Sequence, residues 1–130
     1  MRLLLDTHLL IWAATDSKRL PRQALELVLD PDGTLHFSAA SIWEVAIKSS
    51  LGRADFAVDA AVLRRGLLDN GYVELAVTSV HAAAVAGLPP LHEDPFDRLL
   101  VAQAASEGMV LVTVDAKLAD YPAPVRYMPQ

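Results

Sequence analysis

Four acidic residues occupy positions where an enzyme built on a parallel sheet holds a metal ion: Asp6, Glu44, Asp97 and Asp115. Asp6 and Asp115 each follow a short apolar run, whereas Glu44 and Asp97 lie one turn inside expected helices. Strand ends and helix starts meet at one edge of such a sheet, so these residues can converge. Converging carboxylates repel one another. A hard divalent cation such as Mg²⁺ or Mn²⁺, which prefers oxygen ligands, would explain the cluster.

The elements that must position these acids alternate between strands and helices. Apolar runs predict five strands, at residues 2–5, 35–37, 72–75, 110–114 and 125–128. Caps, prolines and glycines predict helices between them, at residues 7–14, 21–29, 41–50, 59–70, 79–87 and 95–107. The third helix is expected to start at Ser41, since Ser41 and Glu44 match a capping box. This alternation predicts an α/β domain with parallel strands and helices on both faces.

Composition is typical of one globular domain spanning residues 1–130, with 53% apolar residues. The lack of cysteine excludes a disulfide scaffold, a zinc–thiolate site and a cysteine nucleophile. Asp6 and His8 interrupt the N-terminal leucine run too early for a secretory leader. No run approaches the roughly 18 apolar residues of a membrane span. We therefore expect a soluble, cytoplasmic protein with no membrane partner.

The net charge of −5 argues against a nucleic-acid partner, because non-specific binding usually depends on excess Lys and Arg. The objection weakens if the acids bind metal, since two divalent ions would change the sum to −5 + 4 = −1. Basic residues do occur in small groups, at Lys18, Arg19 and Arg22, at Lys48 and Arg53, and at Arg64 and Arg65. These groups are either nucleic-acid contacts or scattered surface charge.

Four segments of the chain together resemble the PIN-domain family, and most closely its bacterial VapC-type toxins. They are LLLDTHLLIW, SAASIWEVAIK, HEDPFDRLLVAQA and LVTVDAKLADY, which span nearly the whole chain in the family's order. The resemblance implies a three-layer α/β/α fold with a parallel sheet ordered 3-2-1-4-5. It also implies a Mg²⁺- or Mn²⁺-dependent ribonuclease, the toxin of a toxin–antitoxin pair. Its partners would be RNA and a VapB-like antitoxin, and it would be a homodimer or a heteromer with that antitoxin.

The resemblance carries over to single residues. Asp6 matches the family's first acid and Glu44 the acid of its SxxE helix. Asp97 matches the acid of the DPFD segment, and Asp115 matches the last acid, in the TxD segment. One departure is Glu93, where similar toxins often carry a basic residue, and an extra acid there would weaken local attraction for RNA.

Hydrolysis of a phosphodiester needs an activated water and stabilised charge on the phosphate, which two metal ions about 4 Å apart can provide. We expect Asp6, Asp97 and Asp115 to bind metal directly, and Glu44 to bind a second metal or orient the water. Thr113 would support the site by a hydrogen bond. Arg98 adjoins Asp97 and would either contact a phosphate or take a surface or ion-pair role, of which the second is favoured.

Structural roles explain several of these residues equally well when each is taken alone. Asp6, Asp94 and Asp115 can cap the helices that follow them, and Glu44 completes its capping box. Trp12 and Trp43 fit core packing better than base stacking, and the four histidines share no metal-ligand spacing. A set of leucines could line a partner interface or the core: Leu9, Leu10, Leu63, Leu67 and Leu68.

Two other functions compete with a nuclease. A receiver-like phosphoacceptor domain has similar length and an acidic Mg²⁺ pocket, but no Asp closes the third strand and no Lys-Pro is present. A non-catalytic PIN module that binds RNA or an antitoxin is the second alternative. All four acids are present, so nothing in the sequence indicates a lost active site.

Overall fold

A computed structural model describes residues 1–130, in which five strands alternate with six α-helices. The strands are β1 (Arg2–Leu5), β2 (Thr34–Ser38), β3 (Val73–Leu75), β4 (Val110–Thr113) and β5 (Val125–Tyr127). The helices are α1 (Thr7–Ala14), α2 (Arg22–Leu29), α3 (Ala39–Ser50), α4 (Ala60–Asp69), α5 (Ser79–Ala84) and α6 (Pro95–Glu107). Short 3₁₀ turns occupy Ala54–Phe56, Val85–Gly87 and Ala116–Asp120. No helix is both long enough and apolar enough to span a membrane.

The five strands form one parallel sheet in the order β3-β2-β1-β4-β5, which confirms the expected topology. Leu4 of β1 pairs with His36 of β2 on one side and with Leu111 of β4 on the other. The order reverses between β1 and β4, so a crevice opens beyond their carboxyl ends. Flavodoxin-like sheets, which receiver domains share, have the order 2-1-3-4-5. The receiver alternative is therefore wrong.

Helices cover both faces of the sheet and give two separate apolar cores. Leu3 and Leu5 of β1 pack into a cluster of 15 buried residues with α1, α2 and α4. Leu4 points to the opposite face and packs into a cluster of 8 buried residues with α6. This alternation follows from the two-residue period of a strand, and it makes β1 the element shared by both cores. The result is the three-layer α/β/α arrangement expected from the sequence.

Helix α3 starts earlier than its capping box predicts. Ser38 ends β2 in an extended conformation, and its Oγ accepts the backbone N–H of Ala40, so the helix begins at Ala39. Ser41 lies inside the helix, where its Oγ is 2.9 Å from Thr7 Oγ1. The predicted start at Ser41 is therefore wrong, because a cap three residues earlier replaces it. Glu44 consequently lies in the second turn of α3, where its side chain contacts Thr7 of α1.

The local signals around α6 are confirmed. Asp94 caps the helix by accepting the N–H groups of Phe96 and Asp97, and Pro95 occupies the first position. Gly108 ends it in the left-handed conformation, with φ 67°, which favours glycine. This geometry holds Asp97 in the first turn of α6.

Burial shows which of the leucines and tryptophans discussed above belong to the core and which are exposed. Leu9, Leu10, Leu63 and Leu67 belong to the core, so they do not form a partner interface, whereas Leu68 is exposed. Trp12 is buried as predicted. Trp43 is 61% exposed and packs edge-on against Phe96 at 5.2 Å, so the prediction that Trp43 lies in the core was wrong.

Candidate metal centre

A polar pocket of about 230 Å³ lies at the crevice beyond β1 and β4. Its only apolar lining residue is Val114, and its other lining residues are Asp6, Thr7, His8, Glu44, Lys48, Arg53, His92, Asp94, Asp97 and Asp115. All four acids singled out from the sequence therefore line one pocket, and Asp94 adds a fifth. The lining comes from the ends of β1 and β4, from α1, α3 and α6, and from Arg53, His92 and Asp94 in the loops.

Asp6 is fixed at the floor of the pocket by three hydrogen bonds. Its Oδ1 accepts the N–H of Leu9, which caps α1, at 2.9 Å. Its Oδ2 accepts the Thr113 hydroxyl at 2.6 Å and the N–H of Val114 at 3.0 Å. Burial raises the pKa of Asp6 above its usual value, although these hydrogen bonds act in the opposite direction. Asp6 thus caps a helix and lines the pocket at once, and Thr113 supports it as predicted.

Glu44 is buried and held by two side chains. Its Oε1 accepts the hydroxyl of Thr7 at 2.6 Å, and its Oε2 accepts Nζ of Lys48 at 2.5 Å. Lys48 also donates to Oδ2 of Asp94 at 3.1 Å, so it links α3 to the cap of α6. The hydrogen bonds and charges of Glu44 and Asp94 raise the pKa of Lys48 against the opposing effect of burial. Lys48 is therefore charged at neutral pH.

Asp97, Asp115 and His92 form the tightest cluster in the pocket. One potential ligand atom from each lies within 4.8 Å of those of the other two. His92 Nε2 is 2.6 Å from Oδ2 of Asp115 and 3.4 Å from Oδ2 of Asp97. His92 Nδ1 accepts the N–H of Asp94 at 3.0 Å, so in a neutral ring Nε2 carries the proton that faces Asp115.

The carboxylates leave the pocket with more negative charge than its cations balance. Burial, followed by the charges of Asp94, Glu44, Asp6 and Asp115, raises the pKa of Asp97 to about 8. A divalent cation would relieve this repulsion. Carboxylate oxygens are the donors that Mg²⁺ and Mn²⁺ prefer. The residues present therefore fit such an ion.

Comparison with known proteins identifies the family. A profile of the PIN domain matches residues 3–124, nearly the full chain. The chain belongs to the PIN-domain family. Ribonuclease VapC22 of Mycobacterium tuberculosis (strain ATCC 25618 / H37Rv) is 32% identical to it over 124 residues, which cover 94% of this chain and 95% of that protein.

Solved structures share the fold of this PIN domain. The crystal structure of VapBC2 from Rickettsia felis bound to a promoter DNA fragment matches with a TM-score of 0.71 at 17% identity, covering 98% of both chains. The crystal structure of DNA-bound VapBC from Salmonella typhimurium matches with a TM-score of 0.68 at 16% identity, again covering 98% of both chains. These likenesses agree with the three-layer fold and the strand order 3-2-1-4-5.

The sequence did not predict that His92 and Lys48 line the pocket of this PIN domain, and Lys48 was expected as a nucleic-acid contact or as scattered surface charge. His92 carries no metal-ligand spacing, although its place two residues before the cap Asp94 sets it beside the start of α6. Lys48 follows Glu44 by four residues on one helix, a spacing typical of ion pairs, and this could have been recognised. Neither the contact of His92 with Asp115 nor that of Lys48 with Asp94 is local in sequence.

Arg98 lies next to Asp97 in sequence but does not face the pocket. Its guanidinium donates to the carbonyls of Val85 and Pro89 and to the hydroxyl of Tyr121. The same Tyr121 hydroxyl accepts the backbone N–H of His92 at 3.0 Å. Arg98 therefore ties down the segment that carries His92, and neither a phosphate contact nor a surface ion pair describes its role.

The rim of the pocket carries both signs of charge. Arg53 and His8 both contact the carboxylate of Asp55, and His8 packs against the ring of Phe56. On the other side, the exposed Glu93 and Lys117 border a shallow depression with His92 and Asp94. Glu93 thus lies just outside the pocket, beside His92 and Asp94.

Proposed function

We propose that this PIN domain is a divalent-metal-dependent endoribonuclease that acts as the toxin of a toxin–antitoxin pair. The observation that carries the proposal is the clustering of Asp97, Asp115 and His92 in a pocket that Asp6, Glu44 and Asp94 also line. The 32% identity with Ribonuclease VapC22 supports RNA as the substrate. The VapBC names of the structural neighbours support an antitoxin as partner. We also propose that the toxin forms a homodimer or a heteromer with that antitoxin.

Asp97 and Asp115 would hold the ion, with Asp6 completing the oxygen donors from the floor of the pocket. Bound Mg²⁺ or Mn²⁺ would supply charge stabilisation at the scissile phosphate and activation of the attacking water. Thr113 and Val114 hold the Asp6 carboxylate in place, and His92 does the same for Asp115. Because these partners are themselves fixed by backbone contacts, the carboxylates are preorganised and need little rearrangement.

The rim would contribute binding. Arg53 is half exposed and lines the pocket, so its guanidinium can contact a phosphate next to the scissile bond. Hydrogen bonds from His8 and Arg53 lower the pKa of Asp55 against the opposing effect of burial, and the Asp55 carboxylate holds these two side chains together. The excess of acids inside the pocket means that RNA would bind productively only with the metal ion present.

The test is cleavage of a labelled RNA pool by the purified protein without antitoxin, in Mg²⁺, in Mn²⁺ or in a chelator. Wild-type protein is expected to produce defined cuts that need metal, and Asp115→Asn is expected to abolish them. Asp69→Asn is the matched control, since Asp69 is exposed at the end of α4 and does not line the pocket. Both variants make the same chemical change and the same change in net charge.

Three outcomes would separate the alternatives. No cleavage by folded wild-type protein under any metal would favour a non-catalytic PIN module that binds RNA or an antitoxin. Cleavage that survives both chelator and Asp115→Asn would remove the pocket from the mechanism. Growth arrest on expression of the wild type but not of Asp115→Asn, relieved by co-expression of an antitoxin, would support the toxin role.

A further inference from the structure

We infer that Lys48 is a fixed counter-cation that occupies the Glu44 side of the pocket and limits this PIN domain to one divalent ion per chain. The ion would then bind on the side of Asp97 and Asp115. The inference rests on the proposed metal-dependent function and assigns Lys48 and Glu44 a positioning role in it. It concerns how positive charge is divided in the pocket between the protein and the metal.

Lys48 is held from four sides and has little freedom to leave. Its ammonium contacts Oε2 of Glu44 and Oδ2 of Asp94. It also lies 4.9 Å from the ring centroid of Phe56 and 5.5 Å from that of Phe96, within the range of cation–π attraction. Only 15% of the side chain is exposed. A lysine restrained in this way is part of the pocket wall, unlike the mobile lysines of a protein surface.

Glu44 has little capacity left for a metal ion. Its Oε1 accepts the Thr7 hydroxyl, and its Oε2 accepts the Lys48 ammonium at 2.5 Å. A divalent ion coordinated by Oε2 would therefore lie close to a fixed positive charge, and the two would repel. Binding there would also take from Lys48 one of the two carboxylates that hold its ammonium in a largely buried site, which is unfavourable.

The opposite side of the pocket has no such cation. Asp115 is contacted by His92 and by the backbone N–H of Lys117, and the only basic group within ion-pair distance of Asp97 is His92. The negative charge of Asp97 and Asp115 is thus left for an external cation, while that of Glu44 and Asp94 is shared with Lys48. This division favours a single ion on the Asp97 side, with the ammonium standing where a second metal would otherwise bind.

The experiment counts Mn²⁺ ions per chain by calorimetric titration and by electron paramagnetic resonance, without RNA. The wild type is expected to bind one ion. Glu44→Gln is expected to bind one ion with an affinity within about threefold of the wild type. Asp115→Asn should weaken Mn²⁺ binding by more than about tenfold. Even residues that only orient the metal ligands change metal affinity by about 10–100-fold. Lys48→Met, which keeps the length of the side chain and removes its charge, is expected to bind two ions.

Several results would overturn the inference. Two ions in the wild type, with metal-dependent RNA cleavage intact, would contradict it and leave the proposed function standing. A Glu44→Gln variant as weak as Asp115→Asn would make Glu44 a ligand, and this comparison decides the matter even where Lys48→Met does not fold. A folded Lys48→Met that still binds one ion would show that Lys48 only ties α3 to α6. Binding of no ion by the wild type would refute the proposed metal site as well.

Discussion

His92 is a single residue whose effect on the metal centre can be isolated. Its Nε2 faces Oδ2 of Asp115 at 2.6 Å, and its Nδ1 is occupied by the N–H of Asp94. Partners that orient a ligand commonly change metal affinity by about 10–100-fold. We therefore expect His92→Phe, which keeps a planar ring without the donor, to weaken Mn²⁺ binding by about this factor in a calorimetric titration.

A glutamine at position 92 provides the comparison. Its side-chain amide retains an N–H that can face Asp115, so His92→Gln should recover part of the affinity lost in His92→Phe. Wild-type affinity in the phenylalanine variant would mean that Asp115 is oriented without help from His92. Equal losses in both variants would instead indicate that His92 coordinates the ion through its nitrogen.

Asp97 links metal binding to pH. Its pKa is raised to about 8 by burial and by the neighbouring carboxylates, so at pH 7 it is mainly protonated in the metal-free protein. Because a carboxyl must lose its proton to bind a cation, we expect metal binding to release protons at pH 7. The apparent affinity should rise with pH and level off above about pH 8. Titrations in buffers of different ionisation enthalpy measure the released protons directly.

The raised pKa of Asp97 also determines how the stability of the protein changes with pH. The pKa of Asp97 in the folded protein lies above its usual value of 3.8, so the folded state holds the proton more tightly than the unfolded state. Its contribution to the stability of metal-free protein is complete below pH 3.8 and is lost as the pH rises through about 8. Asp97→Asn should remove both this dependence and the proton release. Unchanged proton release in that variant would assign the titration to another group.

At the level of elements, two helix caps make a matched pair. Asp59 caps α4 by accepting the N–H of Val62, and Asp94 caps α6 by accepting those of Phe96 and Asp97. Loss of such a cap typically costs about 1 kcal/mol. We expect Asp59→Ala to lower the free energy of unfolding by that amount without changing Mn²⁺ affinity.

Asp94→Ala should have a larger effect, because it removes the cap and also one of the two carboxylates that hold Lys48. The measurements are urea unfolding and Mn²⁺ titration of the two variants side by side. If Asp59→Ala changed metal affinity as much as Asp94→Ala, the effect would come from general loosening of the fold and not from the pocket.

Elements with strong local signals could be predicted closely. Asp94 and Pro95 predict where α6 begins and Gly108 predicts where it ends, and the structure agrees at both ends. Two other predictions failed for tertiary reasons. Ser38 takes the capping role from Ser41, which faces Thr7 of a different helix. Trp43 lies at an apolar helical position but on the side of α3 that the sheet leaves uncovered. Convergence of the acids followed from parallel topology, whereas the contacts of Lys48 and His92 depend on distant residues.

For the whole molecule, we propose that residues 1–130 form a single folding unit. The two apolar cores lie on opposite faces of one sheet and share β1, whose central residues Leu3 and Leu4 enter different clusters. Unfolding of one core would therefore expose the strand that supports the other. We expect one transition in urea, with tryptophan fluorescence and far-ultraviolet circular dichroism giving the same midpoint. Separate midpoints would indicate that parts of the chain unfold independently of one another.

Charge at the scale of the molecule opposes RNA binding, because the net charge is −5 and Glu93 adds an exposed acid beside the pocket. Glu93→Lys changes the net charge to −5 + 2 = −3. Glu26→Lys makes the same change on exposed α2, away from the pocket. If local charge limits substrate binding, Glu93→Lys should lower KM for RNA several-fold with kcat little changed.

The position of the charge, and not only its sum, should decide the result. Neutralising phosphates releases counterions, so the affinity gained by Glu93→Lys should fall as salt increases, while Glu26→Lys should match the wild type at every salt concentration. Kinetic measurements at several salt concentrations give both quantities. Equal gains in the two variants would mean that RNA responds to the overall charge of the protein. No gain in either would place the RNA path on another side of the pocket, toward Arg53.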